Sequence, residues 1–422
     1  MAGTACDVTV STREESFPTA TVTAASKLSL PTPAAMPAVT TVSAPNPSST
    51  SPRSQDVRSQ IPGCPADISQ PLFDTLPMAL DEFFAFRPLG WLSLPIHLFP
   101  AKHSSFAMAL PGQAPPKKPV NAPGKVWVTE IWKASCDTGS GNYQVYFYPC
   151  REFRAYFYHL SSIADKLRQE FDKGEARCSS FPDGTATVTT CRREQLLIQL
   201  DSGEQLGIGT DSAGVDFGAT DNRLAPARFA NIAHYSYDYP YYVSPVDYFS
   251  PALRAKFETK LGSVFGAKLR SAEPRVGAYM QDIVGTAQGN WFFPGISYRD
   301  STDISSALAL VHDYLDPTQP IFSAGNSIKG LKMGLYSFSP QNDGVTNQDF
   351  AKVKAQGAVY CYDRFLSGTS AGGVGLGNPH GVILLTMPAD STLKIEKVGG
   401  DGSTCQSSTP WTFSPDATTF ER

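Results

Sequence analysis

Two neighbouring stretches, residues 125–132 (KVWVTEIW) and residues 143–148 (YQVYFY), alternate in polarity and are rich in aromatic and β-branched side chains. Alternation with a period of two and this enrichment are typical of β-strands. Residues 137–142 (DTGSGN) lie between the two stretches and have the composition of a turn. The pattern therefore predicts a β-hairpin within a mostly β protein.

The composition of the whole chain supports this fold class and excludes others. The chain has 422 residues, of which 34 are glycine and 34 are proline, and only 18% are charged. This balance is typical of turn-rich β structure and differs from that of helical bundles. The net charge of −4 lacks the basic surplus that nucleic-acid binding requires. We therefore expect no nucleic-acid partner, and since no stretch approaches about 18 consecutive apolar residues, no transmembrane segment.

The chain divides into three parts by composition. Residues 1–62 are dominated by serine, threonine, proline and alanine, and we expect them to form a disordered stalk because they bury too little apolar surface to fold. Residues 63–235 and residues 236–422 each predict a β-rich domain. Helical spacing is sparse, and the two best candidates for helices are residues 162–173 and residues 250–261.

Eight cysteines are present, and none forms a CxxC pair. Turn sequences separate Cys136 from Cys150 and Cys178 from Cys191, and Cys361 with Cys405 closes a longer loop, which leaves Cys6 and Cys64. This spacing predicts an exported protein with disulfide bonds, and the alternative is a cytosolic protein with buried thiols.

The sequence indicates the localisation of the protein less directly than it indicates disulfide bonds. Residues 1–30 contain no basic segment followed by an apolar segment, so the sequence as written has no signal peptide. Either the true start lies upstream, or the leader has been replaced in this form of the chain. Small residues before Cys6 also suggest a lipid anchor at that cysteine. The expected location is secreted or at the cell surface.

Five short motifs follow one another in the first β-rich part. They are HSSFA at 103–107, PVNAPGKV at 119–126, YFYHLS at 156–161, GEQLG at 203–207 and GVDFG at 214–218. Over residues 95–225 this series resembles the lysostaphin-type peptidoglycan zinc metallopeptidases. The resemblance implies a small antiparallel β domain of the duplicated-hybrid-motif type, a zinc cofactor and peptidoglycan or another extracellular polymer as the partner.

The resemblance also implies roles for individual residues. His103 lies where the family has its first zinc-ligand histidine, and His159 lies in the segment that carries a catalytic histidine. Ala107 replaces the ligand aspartate of the family's HxxxD pattern, and Gly214 and Asp216 replace the two histidines of its HxH pattern. The standard zinc set is therefore broken in this chain.

Two interpretations of the altered site remain open. In the first, His103, His159 and Asp216 hold zinc, since two imidazoles and a carboxylate are acceptable zinc ligands, and the chain is a hydrolase of amide or peptide bonds with His159 as ligand or general base. In the second, the zinc site is inactive and the domain binds a cell-wall or other extracellular polymer. His97 becomes a further candidate ligand if its loop folds back towards His103.

Each of these residues also has a purely structural explanation. A histidine in an aromatic strand, such as His159, is commonly a packed residue, and an aspartate before Phe-Gly, such as Asp216, commonly stabilises a turn. Under this explanation the motifs describe a β fold without a chemical site.

A second motif suggests a serine esterase as a distant alternative. Residues 368–372 (GTSAG) match the G-x-S-x-G pattern with Ser370 as the nucleophile, and His380 is a candidate partner. That pattern requires a helix directly after the serine, whereas residues 373–379 (GVGLGNP) are poor helix formers. A glycine-rich loop between two β segments is therefore the preferred interpretation.

Overall fold

The computed structural model describes residues 56–109, 113–114, 116–136, 141–183, 186–209, 214–263, 266–299, 304–406 and 410–422. The strands of its larger sheet and its accessory strands are β1 (Ala85–Arg87), β2 (Ser104–Ala107), β3 (Lys118–Asn121), β4 (Val126–Cys136), β5 (Gly141–Cys150), β6 (Phe153–Ile163), β7 (Arg177–Asp183), β8 (Ala186–Arg193), β9 (Ile198–Leu200), β10 (Gln205–Gly209), β11 (Gly214–Asp221) and β12 (Tyr242–Val243). The remaining strands are β13 (Gly289–Trp291), β14 (Leu308–His312), β15 (Pro320–Ala324), β16 (Gly334–Ser337), β17 (Tyr360–Tyr362), β18 (Gly368–Thr369), β19 (Gly375–Leu376), β20 (Val382–Ala389), β21 (Thr392–Val398) and β22 (Thr418–Glu421). The α-helices of the described part are α1 (Asp165–Asp172) and α2 (Pro251–Glu258). The prediction of a mostly β protein is confirmed.

The larger sheet has the strand order β1-β2-β11-β6-β5-β4-β8-β7, and β10 bridges β3 and β6 at one side. The pairings between these strands are antiparallel. The alternating pattern of the sequence explains its core, because Phe106, Phe157 and Phe217 on the three adjacent strands β2, β6 and β11 are fully buried on one face. Phe157 and Phe217 pack with their ring centroids 4.5 Å apart.

The C-terminal part contains two four-stranded antiparallel sheets, β13-β14-β15-β16 and β17-β20-β21-β22, and the two-stranded ribbon β18-β19. One apolar core joins the two sheets, and its members include Trp291, Phe322 and Tyr362. Phe322 and Tyr362 meet edge to face with centroids 4.9 Å apart. Both β-rich parts expected from the sequence are therefore built of antiparallel sheets.

The two expected helices are present but shorter than their sequence patterns. Helix α1 begins at Asp165 because β6 continues to Ile163, and it buries Leu167 and Phe171 on one face. Helix α2 begins at Pro251, the first-turn position that proline favours, and it buries Phe257. Phe257 packs into the core of the larger sheet together with Phe249. The segment after residue 235 therefore still contributes to the apolar core of the larger sheet.

Three disulfides are described, and they confirm two of the three expected pairs. Cys178 bonds Cys191 across the β7-β8 hairpin, and Cys361 bonds Cys405. The predicted pairing of Cys136 with Cys150 is wrong, because Cys150 bonds Cys64, 86 residues earlier in the chain.

The N-terminal part of the fold explains how Cys64 reaches Cys150. Residues 57–60 form a 3-10 turn, and the following Ile61 is fully buried. The Arg151 amide donates to the carbonyl of Pro62, which holds this segment against the end of β5. Folded structure thus includes the last residues assigned to the stalk from composition, whereas residues 1–55 and the proposed lipid anchor at Cys6 lie outside the described residues. In the described part of the chain, no helix is long and apolar enough to cross a membrane.

Candidate functional site

Three adjacent elements of the larger sheet bring His103, His159 and Asp216 together. His103 directly precedes β2, His159 lies in β6, and Asp216 lies in β11, which runs between these two strands. His103 Nδ1 is 3.5 Å from one carboxylate oxygen of Asp216, and His159 Nε2 is 3.4 Å from the other. Both His103 and Asp216 are buried. The sheet order thus unites residues that are more than 50 positions apart from one another in the sequence.

A bulge in β6 sets the position of His159. Tyr143 pairs with Leu160 and Val145 pairs with Phe157, so two residues of β6 lie opposite the single residue Gln144 of β5. His159 has a φ of 67°, a left-handed conformation that a residue other than glycine rarely adopts. Its ring stacks on the ring of Tyr158, with centroids 3.9 Å apart. Because Tyr158 pairs directly with Asp216, the bulge keeps His159 on the Asp216 face and away from the core face of Phe157.

The loop before β2 folds back and adds His97 to this group. The backbones of Ser93 and His97 exchange two hydrogen bonds, which closes the turn between them. The ring centroids of His97 and His103 are 5.0 Å apart, and that of Trp91 is 4.2 Å from that of His97. Trp91 also donates from its indole nitrogen to the carbonyl of His103 at 3.1 Å. We call His97, His103, His159 and Asp216 the histidine cluster.

Electrostatics keep the carboxylate of the histidine cluster ionised and two of its imidazoles neutral. Burial alone would raise the pKa of Asp216, but the His103 and His159 imidazoles and the Arg87 guanidinium lower it well below its usual range. Burial lowers the pKa values of His97 and His103, so both rings are neutral near pH 7. Deprotonated donors of these types are those that zinc requires.

The arrangement of these donors nevertheless differs from a zinc cage. The two imidazoles approach different oxygens of Asp216, so the carboxylate bridges two rings. Nδ1 of His159 is buried and has no hydrogen-bond partner among the described residues, whereas a ligand histidine usually donates its other ring nitrogen to a second group. Within the described ranges, no group of three or more His, Cys, Asp or Glu residues has the arrangement of a metal site.

The two positions where the resemblance implies further donors face each other in the sheet. Ala107 on β2 pairs directly with Gly214 on β11. Neither side chain has a nitrogen, oxygen or sulfur atom. A Cβ atom at residue 214 would lie 2.3 Å from the carbonyl oxygen of Phe106, so the strands approach too closely here for any side chain.

Replacing Gly214 with alanine is expected to lower the free energy of unfolding by about 1–3 kcal/mol, because the added methyl group overpacks this contact. Gly375→Ala is the matched control, since a Cβ atom there meets nothing within 4 Å. Urea denaturation of both variants measures the difference. Equal stability of Gly214→Ala and Gly375→Ala would show that β2 and β11 separate easily enough to admit a side chain at position 214.

Sequence patterns did not indicate Arg87 and Trp91, which border the histidine cluster. Arg87 ends β1, and its guanidinium carbon lies 3.8 Å from the centroid of the Trp91 ring. Beside them lies a cleft of about 570 Å³ that we call the interdomain cleft. Arg87, Trp91 and Leu92 line it from the first part of the chain, and Tyr314, Leu335 and residues 372–377 line it from the second. No local sequence signal marks these residues, because the cleft forms only where the two parts meet.

The geometry around Ser370 and His380 differs from that of a serine hydrolase. Ser370 is buried, its amide donates to the Val374 carbonyl, and it lies in the turn between the strands β18 and β19. The described residues that follow it form no helix. Within the described residues, the Ser370 hydroxyl has no hydrogen-bond partner. His380 is exposed and its Nδ1 lies 2.7 Å from Asp401. The glycine-rich loop between two β segments, which is the preferred interpretation of this sequence, is therefore what the fold contains.

Comparison with known proteins identifies no relative of this chain. No protein family model matches the chain, no curated protein matches it, and no solved structure matches it.

Proposed function

We propose that this chain is an exported protein whose first β-rich domain is an altered relative of the peptidoglycan metallopeptidases and binds a cell-wall or other extracellular polymer. The observation that carries the proposal is the interdomain cleft beside the histidine cluster. At about 570 Å³ its volume lies within the usual range of ligand sites. Trp91 and Tyr314 line the cleft from its two walls and are largely buried, so they provide a packed aromatic lining for a ligand.

Binding without zinc hydrolysis is supported by the contacts inside the histidine cluster. Metal-assisted hydrolysis needs at least three ligands directed at one point, an open position for water and a base to deprotonate it. Asp216 instead contacts both His103 and His159, and positions 107 and 214 supply no further donor. The remaining imidazole of His97 packs against Trp91.

Export is supported by the disulfides. Three described bonds, one of them spanning 86 residues, are typical of proteins that fold in an oxidising compartment. Cell-wall and matrix polymers are the insoluble partners found there.

The second candidate function is zinc-dependent hydrolysis of an amide or peptide bond by His103, His159 and Asp216. Its support is the set of donors. The Asp216 carboxylate is ionised and lies between two imidazoles, and the His103 imidazole is neutral. Donors of these types are ones that zinc binds. When bound, zinc would polarise a carbonyl group or activate water. His159, whose Nδ1 is unpartnered within the described part, would then serve as ligand or base.

Cosedimentation with insoluble peptidoglycan tests the proposal, and Gly375→Leu is the decisive variant. Gly375 lines the interdomain cleft and has open space at its Cβ position, so a leucine there fills the cleft without a backbone clash. We expect wild-type protein to sediment with the polymer and Gly375→Leu to bind at least about tenfold more weakly. Gly400→Leu is the matched control, because its Cβ position is also open and it lies outside the cleft.

The same samples separate the two candidate functions. Release of soluble fragments that stops with a chelator and returns with zinc, together with bound zinc that is lost in His103→Ala, would favour the hydrolase. Binding without release and without zinc would favour the polymer-binding protein. Absence of both binding and release would contradict both candidates.

A further inference from the structure

The Arg87 side chain forms part of the wall of the interdomain cleft. One of its terminal nitrogens donates to the Ser105 hydroxyl at 2.9 Å, and the guanidinium plane is supported by the Trp91 ring. Its Nε atom is buried and has no hydrogen-bond partner within the described ranges. The side chain is thus held in place by two neighbours while part of its donor capacity is unused.

The charge of Arg87 also lacks a direct counter-ion. In the described part of the chain, no carboxylate lies within 4.0 Å of the guanidinium. Burial lowers the pKa of Arg87, and Asp216 and Tyr314 oppose this shift only at longer range. Arg87 is partly buried, and a cation withdrawn from water is normally paired, because desolvation without a partner is costly. An anion entering the cleft would supply the missing partner.

The rest of the cleft restricts what this anion is attached to. Leu92 and Leu94 lie on the Arg87 side, and Leu335 and Leu376 lie on the opposite side. A ligand that satisfies both features has one carboxylate next to an apolar body. The planar fork of arginine matches a carboxylate in geometry.

The second domain holds its wall of the cleft rigidly. The Tyr314 hydroxyl donates to the Gly372 carbonyl at 2.7 Å, and the Gly372 amide donates to the Asp313 carboxylate at 3.1 Å. Asp313 is itself buried and also accepts from the Leu315 amide. The glycine-rich loop is therefore fixed opposite Arg87, and the site needs both domains.

We propose that Arg87 binds the free carboxylate of a peptide chain end whose apolar side chain occupies the interdomain cleft. This inference rests on the proposed function for the identity of the molecule that carries the peptide. It assigns the recognition step to one guanidinium, and it gives the glycine-rich loop that contains Ser370 a role as a wall of the binding site.

Isothermal titration calorimetry of the full chain with N-acetyl-leucyl-alanine and with its C-terminal amide tests this proposal. We expect wild-type protein to bind the acid at least about tenfold more tightly than the amide, as a charge-assisted hydrogen bond predicts. In Arg87→Gln the preference for the acid should disappear, and in Arg87→Lys it should be only partly retained. Arg168→Gln, which changes an exposed arginine of α1, should behave as wild type.

Gly375→Leu provides an independent readout if Arg87→Gln does not fold, because it fills the cleft from the opposite wall and leaves β1 unchanged. It should weaken binding of the acid and the amide alike. Equal affinity of wild-type protein for acid and amide, or no binding of the acid at about 1 mM, would overturn the proposal. So would a preference for the acid that survives in Arg87→Gln.

Cosedimentation with the polymer before and after conversion of its carboxylates to amides identifies the source of the ligand. Loss of sedimentation after amidation would assign the carboxylate to polymer chain ends. Peptide binding without polymer binding would retain the Arg87 site and contradict only the proposed function.

Discussion

Removing the disulfide between Cys64 and Cys150 is expected to lower the free energy of unfolding by about 4–5 kcal/mol, the largest effect among the disulfides described here. The bond closes a loop of 86 residues, so its loss releases much conformational entropy in the unfolded chain. Cys150 is also part of the apolar core of the larger sheet. The measurement is urea denaturation of the wild type and of Cys64→Ala/Cys150→Ala without reductant, with tryptophan fluorescence as the readout of unfolding.

The Cys178–Cys191 bond is the matched comparison, because it spans only 13 residues within one hairpin. The same entropy relation assigns it about 3 kcal/mol, and partial opening of the exposed β7-β8 hairpin reduces the effect further. Cys178→Ala/Cys191→Ala should therefore be clearly more stable than Cys64→Ala/Cys150→Ala. The reverse order would show that loop length does not govern stability in this fold.

Replacing Asp221 with alanine is expected to cost about 3–5 kcal/mol, because it leaves a largely buried arginine without its counter-ion. Asp221, at the end of β11, is fully buried and accepts hydrogen bonds from two nitrogens of Arg223 and from the Tyr248 hydroxyl. Only 11% of the Arg223 side chain is exposed. Chemical denaturation at neutral pH measures the loss.

Two controls identify the buried charge as the cause. The double variant Asp221→Ala/Arg223→Met removes both partners and should be more stable than Asp221→Ala alone. Asp165→Ala removes an exposed ion pair with Arg168 and should cause no measurable change. If the double variant is as unstable as the single one, the loss comes from packing and the Tyr248 hydrogen bond.

The pH dependence gives a further check on Asp221. Burial would raise its pKa, but the hydrogen bonds from Arg223 and Tyr248 outweigh burial and lower it. A carboxyl group with a lowered pKa in the folded state stabilises the protein above its unfolded pKa of about 3.9, and this contribution is lost as the pH falls through the folded value. The difference between wild type and Asp221→Ala should therefore shrink below about pH 4.

Local features of the fold were predictable where the sequence pattern and the strand agree. The stretch 125–132 falls in β4 from residue 126 onwards, the stretch 143–148 lies in β5, and the cysteines of the β7-β8 hairpin pair as expected. The error at Cys150 has a physical origin. Its partner Cys64 arrives from an N-terminal segment held by Ile61 and Pro62, and a contact across 86 residues leaves no local pattern.

The candidate site was predictable only in part. The family resemblance implied His103, His159 and Asp216, and these residues do converge. The loop of His97 also folds back towards His103, which was the condition for including this histidine. Arg87 carries no motif, and its proposed role depends on Trp91 behind it and on a cleft wall contributed by the C-terminal part of the chain.

By itself the sequence determined the mostly β class, the antiparallel hairpins, the glycine-rich loop around Ser370 and the residue types available for chemistry, because these depend on periodicity and on local backbone preference. Only the tertiary structure decided that His159 faces Asp216, since one left-handed residue in β6 reverses the side that alternation would predict. Only the close approach of β2 and β11 excludes a side chain at Gly214. Strand register, bulges and domain contacts arise from packing between distant residues, and for that reason they determine which of the available residues form a site.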